Sequence, residues 1–354
     1  MDIFHYIGLD IHKKTISYCL KLADGRIASE GTVAARRSEM TVWVKQLPTP
    51  WIGAMEATLF TGWIFDFLRP FASALMVAHP AMLKAIAASK KKNDRVDARK
   101  IADLLRCNLL PVCYTAPSEL RELRRVLRYR NLMVTEAVRM KNKTAGLLME
   151  LGAEYNKEKL HQKGYFGDLL KTVENVPGSV MELLQISRGA TELFEAAQRR
   201  LVAGLCRHPK LQERVERLKS IDGVGDILAL TWALEVGEPE RFHSIGHALS
   251  YCGLTSAQDS SAGKEKRGPI SKQRNKHLQT ILIEAAKVGP VWNPVLAAVH
   301  ERELARGNRN RATLAVARKL VAYLLWVDRS NKPFEPATLP LPTAAATTRS
   351  AEAA

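Results

Sequence analysis

Residues 3–33 read IFHYIGLDIHKKTISYCLKLADGRIASEGTV, and this stretch decides the fold of the N-terminal third of the chain. It holds three apolar runs of β type, at 3–10, 15–22 and 26–33. The last two are joined by Asp24-Gly25, a strong hairpin signal, so three antiparallel strands are predicted. Next come a helix over 38–46 with Ser38 as its N-cap, a short buried strand at 51–56 (WIGAME) and a helix over 62–68. A strand at 74–78 and a helix opening at Pro80 complete the segment.

The order β-β-β-α-β-α-β-α is that of a ribonuclease-H-like α/β domain, expected over residues 1–115. In that topology the first strand is central and lies beside the fourth, so acids late on both strands meet at one edge. Asp10 sits late on the first strand and Glu56 closes the fourth. Residues 90–103, KKKNDRVDARKIAD, add Asp94 and Asp97 inside a dense basic run. On a helix, residues three apart share a face at about 5–6 Å, so the two acids can hold one hard cation together. Four converging carboxylates repel unless divalent cations neutralise them, and an all-oxygen set suits Mg²⁺ or Mn²⁺. Two such ions about 3.5–4 Å apart would polarise a phosphodiester and stabilise its leaving oxygen. Asp2, Asp66 and Asp103 read as turn, cap or salt-bridge residues.

The 354 residues carry a net charge of +17, and its distribution says more than its size. Residues 90–145 hold fifteen basic groups against six acidic ones, and residues 264–276 hold six against one. Two concentrated basic patches point to a polyanion partner. Aromatic residues make up 6% of the chain, which favours a groove that grips phosphates over one that stacks bases. The five cysteines are scattered and contain no C-x-x-C pair, which argues against a disulfide framework or a zinc knuckle. Neither a secretory leader nor a membrane span is expected, which leads to a cytoplasmic protein with no membrane partner.

Beyond Pro117 the pattern turns to long helices, expected as a helical or coiled-coil linker region over 116–210. Leu120, Leu123, Leu127, Val134, Val138, Ala145 and Leu148 fall near heptad seam positions, while Arg121, Arg124, Arg125 and Arg128 crowd the remaining surface as candidate nucleic-acid contacts. The seam fits self-association or packing within one subunit. A mainly helical C-terminal domain is expected over 211–332, with a disordered tail at 333–354. In it, residues 220–237 read as helix, Gly223-Val224-Gly225 turn, helix. This fits either a helix-hairpin-helix element presenting backbone N–H groups to a DNA phosphate or an ordinary glycine-rich turn. Ser260 and Ser261 stand in a Gly-containing loop directly before Lys264, Lys266, Arg267, Lys272 and Arg274, a field that stabilises charge on a phosphate. No His or Asp stands at a triad spacing, so the residues alone read as a phosphate-binding serine loop. His247 and His277 read as structural or DNA-facing.

Taken together, IGLDIHKKT around Asp10, GAMEAT around Glu56, KNDRVDARKIA around Asp94 and Asp97, IDGVG, RFHSIGHALSYCGLT and SSAGKEKRGPISKQRNKHL resemble the DEDD transposases of the IS-one-ten family. That family includes the Piv/MooV invertases and bridge-RNA-guided recombinases. The resemblance implies a RuvC-like domain whose four acids bind Mg²⁺, joined by a coiled coil to a domain that supplies a serine nucleophile. On this sequence the metal ligands become Asp10, Glu56, Asp94 and Asp97, and the nucleophile Ser261, with Ser260 second. It also implies donor and target DNA as substrates, dimers or tetramers, and a structured non-coding guide RNA, for which residues 120–143 offer a basic surface. A RuvC-like nuclease that only hydrolyses, and a catalytically silent DNA- or RNA-binding protein, are the alternatives. Two departures from the family pattern stand near the serine: Ser260-Ser261-Ala262-Gly263, and Arg274 where a glycine usually precedes Asn275.

Overall fold

The computed structural model describes residues 5–86, 93–173, 176–261 and 264–335, with only the backbone at 163, 257–261 and 264–267. The lysines of the 90–92 run and residues 336–354 of the expected tail lie outside the described residues. The chain divides into two compact units, Met1–Glu119 and Leu120–Ala354.

The first unit is built on five strands: β1 (His5–Ile11), β2 (Thr15–Lys21), β3 (Ile27–Ala34), β4 (Trp51–Glu56) and β5 (Ala74–Ala78), in the spatial order β3-β2-β1-β4-β5. β1 is central, antiparallel to β2 with Asp10 opposite Ser17, and parallel to β4 with Leu9 beside Met55. The β2–β3 turn works as its sequence implies. Gly25 takes φ +89°, and the Asp24 carboxylate accepts the Arg26 backbone N–H at 2.9 Å.

Both faces of the sheet are covered, which explains the near-continuous apolar runs in its middle strands. Ile7, Leu9 and Ile11 point to one face. There they pack with Met40, Trp43 and Val44 of α1 (Arg37–Lys45) and Ile64 and Leu68 of α2 (Thr61–Leu68). After α3 (Pro80–Ile86), α4 (Asp94–Arg106) covers the other face with Ile101 and Leu105 against Ala54 and Ala78. Ser38 is not the α1 cap. The Arg36 carbonyl already accepts the Met40 N–H at 2.9 Å, so the helix opens one residue earlier and places Ser38 inside its first turn.

The second unit is mostly helical. It contains α5 (Ser118–Glu150), α6 (Lys163–Thr172), α7 (Gly178–Cys206), α8 (Pro209–Lys219), α9 (Asp226–Val236), α10 (Ile245–Tyr251), α11 (Lys276–Trp292), α12 (Pro294–Ala305) and α13 (Arg309–Ser330), with a hairpin of β6 (Ser256–Ser261) and β7 (Lys264–Ile270). Every residue of α9 from Leu228 to Val236 is buried, which makes this helix the axis of the core; α8, α11 and α13 carry the surrounding apolar faces. Residues 120–332, which include most of the region expected at 116–210 and all of that expected at 211–332, lie in this unit, where α7 packs on α8 and α9.

Four expectations change here. Along α5 the buried residues are Leu127, Ala137, Thr144 and Leu148, which keep a seven-residue repeat; Ala137 and Thr144 take the seam places expected of Val138 and Ala145, and Val138 is half-exposed. The first helix of the glycine turn lies upstream of the expected span, with Ser220 as the C-cap of α8. The serines expected in a loop stand instead at the end of β6, Ser260 opposite Glu265 and Ser261 opposite Lys264. The tail does not begin at 333: the Phe334 ring packs at a tilt against Tyr323, with centroids 4.5 Å apart, and its N–H reaches Ser220 Oγ at 2.7 Å. No helix among the described residues is long and apolar enough to cross a membrane.

Candidate active site

The acids of the first unit are positioned by a residue with no side chain. Gly8 lies two residues before Asp10 on β1 and so faces the same side of the sheet. A Cβ at Gly8 would stand 2.1 Å from the Ala98 carbonyl oxygen and 2.4 Å from the Ala102 nitrogen. The bare strand therefore lets the backbone of α4 lie directly on β1, with Ala98, Ala102 and Cys19 as the small buried residues of the contact. Asp94 is one turn before Ala98, so the same approach brings it to Asp10.

Further bonds fix the helix. The Asn93 side chain caps its start by accepting the Arg95 N–H, Lys21 donates to Asp103 at 2.6 Å, and Arg99 holds Glu30 with two bonds of 2.7 and 2.6 Å. Asp103 thus has the salt-bridge role expected of it.

At the focus, His12 Nε2 lies 3.2 Å from Asp10 Oδ2 and 3.4 Å from Asp94 Oδ2. Asp10, His12 and Asp94 can each offer one ligand atom, all within 4.8 Å of one another. Asp97 stands one step away, with Lys100 Nζ 3.5 Å from its carboxylate. Glu56 is one residue beyond the Leu9–Met55 pair, on the same edge. Its carbonyl is fixed by the Thr61 hydroxyl at 2.7 Å, but its carboxylate is outside the tight group. Burial pushes the Asp10 carboxyl above its ordinary range; His12 pulls it down, and the charges of Asp94 and Asp97 push it up. A buried acid in that position gains from a cation. The donor set, two carboxylates and an imidazole with further acids close by, fits a divalent metal. The sequence motifs alone do not single out His12. The signal it offers is its spacing: Asp10 and His12 are two apart at a strand end, which turns both the same way.

In the second unit the candidate nucleic-acid residues divide. Arg124 Nε donates to the Leu234 carbonyl at 2.8 Å, and Arg128 grips the buried Glu235 carboxylate with bonds of 2.8 and 2.9 Å. These two guanidinium groups hold α5 to α9, because a buried carboxylate requires paired donors. Arg125 is exposed and Arg121 half-buried. Gly223 takes φ +92° and would set a Cβ 3.2 Å from the Gly289 Cα, so glycine is required by the turn. Gly225 is extended and caps α9, whose first-turn Asp226 pairs with Lys219 at 2.9 Å. Lys272 and Arg274 are exposed, and Arg274 also donates to the Ser271 carbonyl at 3.3 Å. For Ser260, Ser261, Lys264, Lys266 and Arg267 the side chains lie outside the described residues; their backbones form the β6–β7 hairpin.

Two family profiles match this chain. One, described as a DEDD transposase, covers residues 7–152 and so the strands and α4 that carry the acids. The other, described as the transposase IS116/IS110/IS902 family, covers residues 215–301, from α8 through the serine hairpin into α12. Relatives agree along most of their length. A probable family 20 transposase of Pseudomonas aeruginosa is 26% identical over 79% of this chain and 82% of its own. The transposase of insertion element IS1111A from Coxiella burnetii is 26% identical over 90% and 88%. That of IS1328 from Yersinia enterocolitica is 24% identical over 91% and 95%. The class is therefore that of an enzyme acting on DNA, a transposase or recombinase. Within it, the chain belongs to the IS110 family of insertion-sequence transposases.

Proposed function

We propose that this transposase cuts and rejoins DNA strands with a RuvC-like acidic metal centre in its first unit and a serine nucleophile in its second. The observation that carries the reading is the approach of α4 to Gly8, which sets Asp94 beside Asp10 around His12. Asp10, Asp94 and His12 would hold a divalent cation, with Asp97 and Glu56 as the further acids of the set. When bound, Mg²⁺ or Mn²⁺ supplies charge that polarises the phosphodiester and stabilises the leaving oxygen. The imidazole among the donors tilts the choice toward Mn²⁺, since Mg²⁺ prefers oxygen alone.

Ser261, with Ser260 as the second candidate, would attack a backbone phosphorus through its hydroxyl oxygen. As that P–O bond forms, the bond from phosphorus to the leaving deoxyribose oxygen breaks. The serine proton is lost to solvent and the leaving oxygen takes one up. The resulting phosphoserine diester keeps the bond energy for rejoining to a new end. Lys264, Lys266, Arg267, Lys272 and Arg274 surround this hairpin in sequence and would hold the phosphate; Gly223 and Gly225 would present the α9 amide end to a second one. Arg121 and Arg125 on α5 would meet a structured non-coding guide RNA. The protein would work as a dimer or tetramer on donor and target DNA in the cytoplasm.

The test is cleavage of element-end DNA by Asp94→Asn and His12→Ala variants, titrated with Mg²⁺ and with Mn²⁺. The reading expects Asp94→Asn to abolish cleavage with either ion, and His12→Ala to lose the Mn²⁺ preference. Full Asp94→Asn activity would remove the acids from the chemistry.

A further inference from the structure

Glu235 is a carboxylate at the centre of the second unit's core, with 1% of its side chain exposed, and nothing in the proposed chemistry uses it. Burying a charge so fully is costly unless donors surround it. Here they do, and where they come from is informative. Arg128 of α5 donates to both carboxylate oxygens, and Asn275 Nδ2 donates to Oε2 at 2.9 Å. The backbone carbonyl of the same residue accepts the Tyr251 hydroxyl at 3.0 Å, and Asn275 Nδ2 is also 3.3 Å from that hydroxyl.

Tyr251 and Asn275 are the two feet of the serine hairpin. Tyr251 ends α10 before the chain rises into β6, and Asn275 receives it as it leaves β7. The feet are tied to each other by Asn275 N–H to the Tyr251 carbonyl at 2.9 Å and by Ser271 N–H to the Thr255 carbonyl at 3.0 Å. Asn275 also caps α11 by accepting the His277 and Leu278 N–H groups. One residue on the buried axis helix therefore grips both ends of a hairpin whose side chains carry the candidate nucleophile. A hairpin of two strands is at best marginally stable by itself, so its aim must be set from below.

We infer that Glu235 is the positioning residue of the serine hairpin: through Asn275 and Tyr251 it fixes the base on which β6 and β7 stand, while Arg128 and Arg124 fix Glu235. This rests on the proposed role of the serine. A carboxylate is needed because its oxygens accept from three donors at once. An amide in its place turns its own NH₂ toward an Arg128 donor in either orientation, and toward Asn275 as well in one of them.

The experiment compares Glu235→Gln with Asp328→Asn in the full-length protein. Asp328 is an equally buried acid of the same unit, gripped by Arg214 at 2.7 and 2.6 Å and by Trp232 at 2.9 Å, and it touches neither foot. Hydrogen exchange of the β6 and β7 amides, DNA affinity, melting temperature and the rate of covalent adduct formation are measured for each. Glu235→Gln is expected to raise β6–β7 exchange by roughly tenfold or more. It should also slow adduct formation by about 100-fold, the scale of a misplacement by roughly 1 Å, with DNA affinity retained. Asp328→Asn is expected to lower the melting temperature comparably and leave hairpin exchange unchanged. Asn275→Asp, which keeps the α11 cap but faces Glu235 with a like charge, should reproduce the loss, and pairing it with Glu235→Gln should restore adduct formation. If Glu235→Gln does not fold, Arg128→Lys makes the same comparison. Unchanged β6–β7 exchange, or an equal rise in Asp328→Asn, overturns the assignment. Failure of the serine reading is seen separately: Ser261→Ala and Ser260→Ala would both still form adduct, whatever the exchange contrast shows.

Discussion

Replacing Gly8 with alanine perturbs the acidic centre without touching any acid. The added Cβ would meet the Ala98 carbonyl oxygen at 2.1 Å, and ordinary contact begins near 3.4 Å, so strand or helix must yield by about 1.3 Å. The obstructing atoms are helix backbone, with no flexible side chain to swing away. Overpacking of this kind costs about 1–3 kcal/mol. In a unit of this size each kcal/mol lowers the melting temperature by about 4 °C or more. The shift also carries Asp94 away from Asp10, because both belong to the rigid elements being separated. Thermal unfolding with and without Mn²⁺ reads both effects: the apo protein should melt lower, and the stabilisation by Mn²⁺ should shrink. Gly146→Ala is the control, since it lies within α5 with nothing within 4 Å of its added Cβ and should be neutral or stabilising by up to about 1 kcal/mol. A Gly8→Ala protein that melts like the parent and keeps its full Mn²⁺ response would refute the claim that helix-on-strand contact builds the site.

Asp328→Ala leaves Arg214 and Trp232 Nε1 without their buried acceptor and should destabilise the second unit by about 3–5 kcal/mol, read by chemical denaturation. Glu235 gives a pH signature. Burial pushes its carboxyl up, but the Arg128 fork, Asn275 and Arg124 outweigh this and hold it below the usual range. A depressed acid stabilises the fold above its unfolded value of about 4.3 and loses that contribution as pH falls through the folded value. Stability of Glu235→Gln, followed from pH 6 downward, should therefore fall less steeply below about pH 4.3; an unchanged slope would deny the carboxylate its charge. Burial pushes the Cys252 thiol up to about 12, whereas Cys107 is exposed. Alkylation of the native protein at pH 8, located by mass spectrometry, should mark Cys107 first and Cys252 only on unfolding.

Much of the first unit is legible in the sequence because its signals are local. Strands 51–56 and 74–78 are short apolar runs, and the structure has them at those residues. The order of elements then places Asp10 and Glu56 at one edge without knowledge of any contact. What escapes is what depends on partners distant in sequence. His12 gains meaning only when α4 arrives with Asp94, more than 80 residues later. Arg124 and Arg128 look like surface charge because nothing near them in sequence reveals Glu235, 107 residues from Arg128. Helix α6 lies within the region expected to be helical but is not marked individually, for a different reason. Its KGYFGDLLKT carries two glycines and little intrinsic helical preference, and it is held by Phe166 and Leu169 packing with Leu148 and Leu184. The serine hairpin reads as a loop because Ser, Asp, Gly and Lys dominate its strands, a composition that β-propensity disfavours.

The central claim joins an acidic metal centre to a serine nucleophile, and one measurement reaches both. Element-end DNA is incubated with the protein and Mn²⁺, the reaction is quenched in denaturant, and any covalently attached nucleotide is located by peptide mass spectrometry. The account predicts a phosphodiester on Ser261, absent from Asp94→Asn. DNA cleaved to free ends with no attached peptide, or an adduct on Ser261 undiminished in Asp94→Asn, would contradict it.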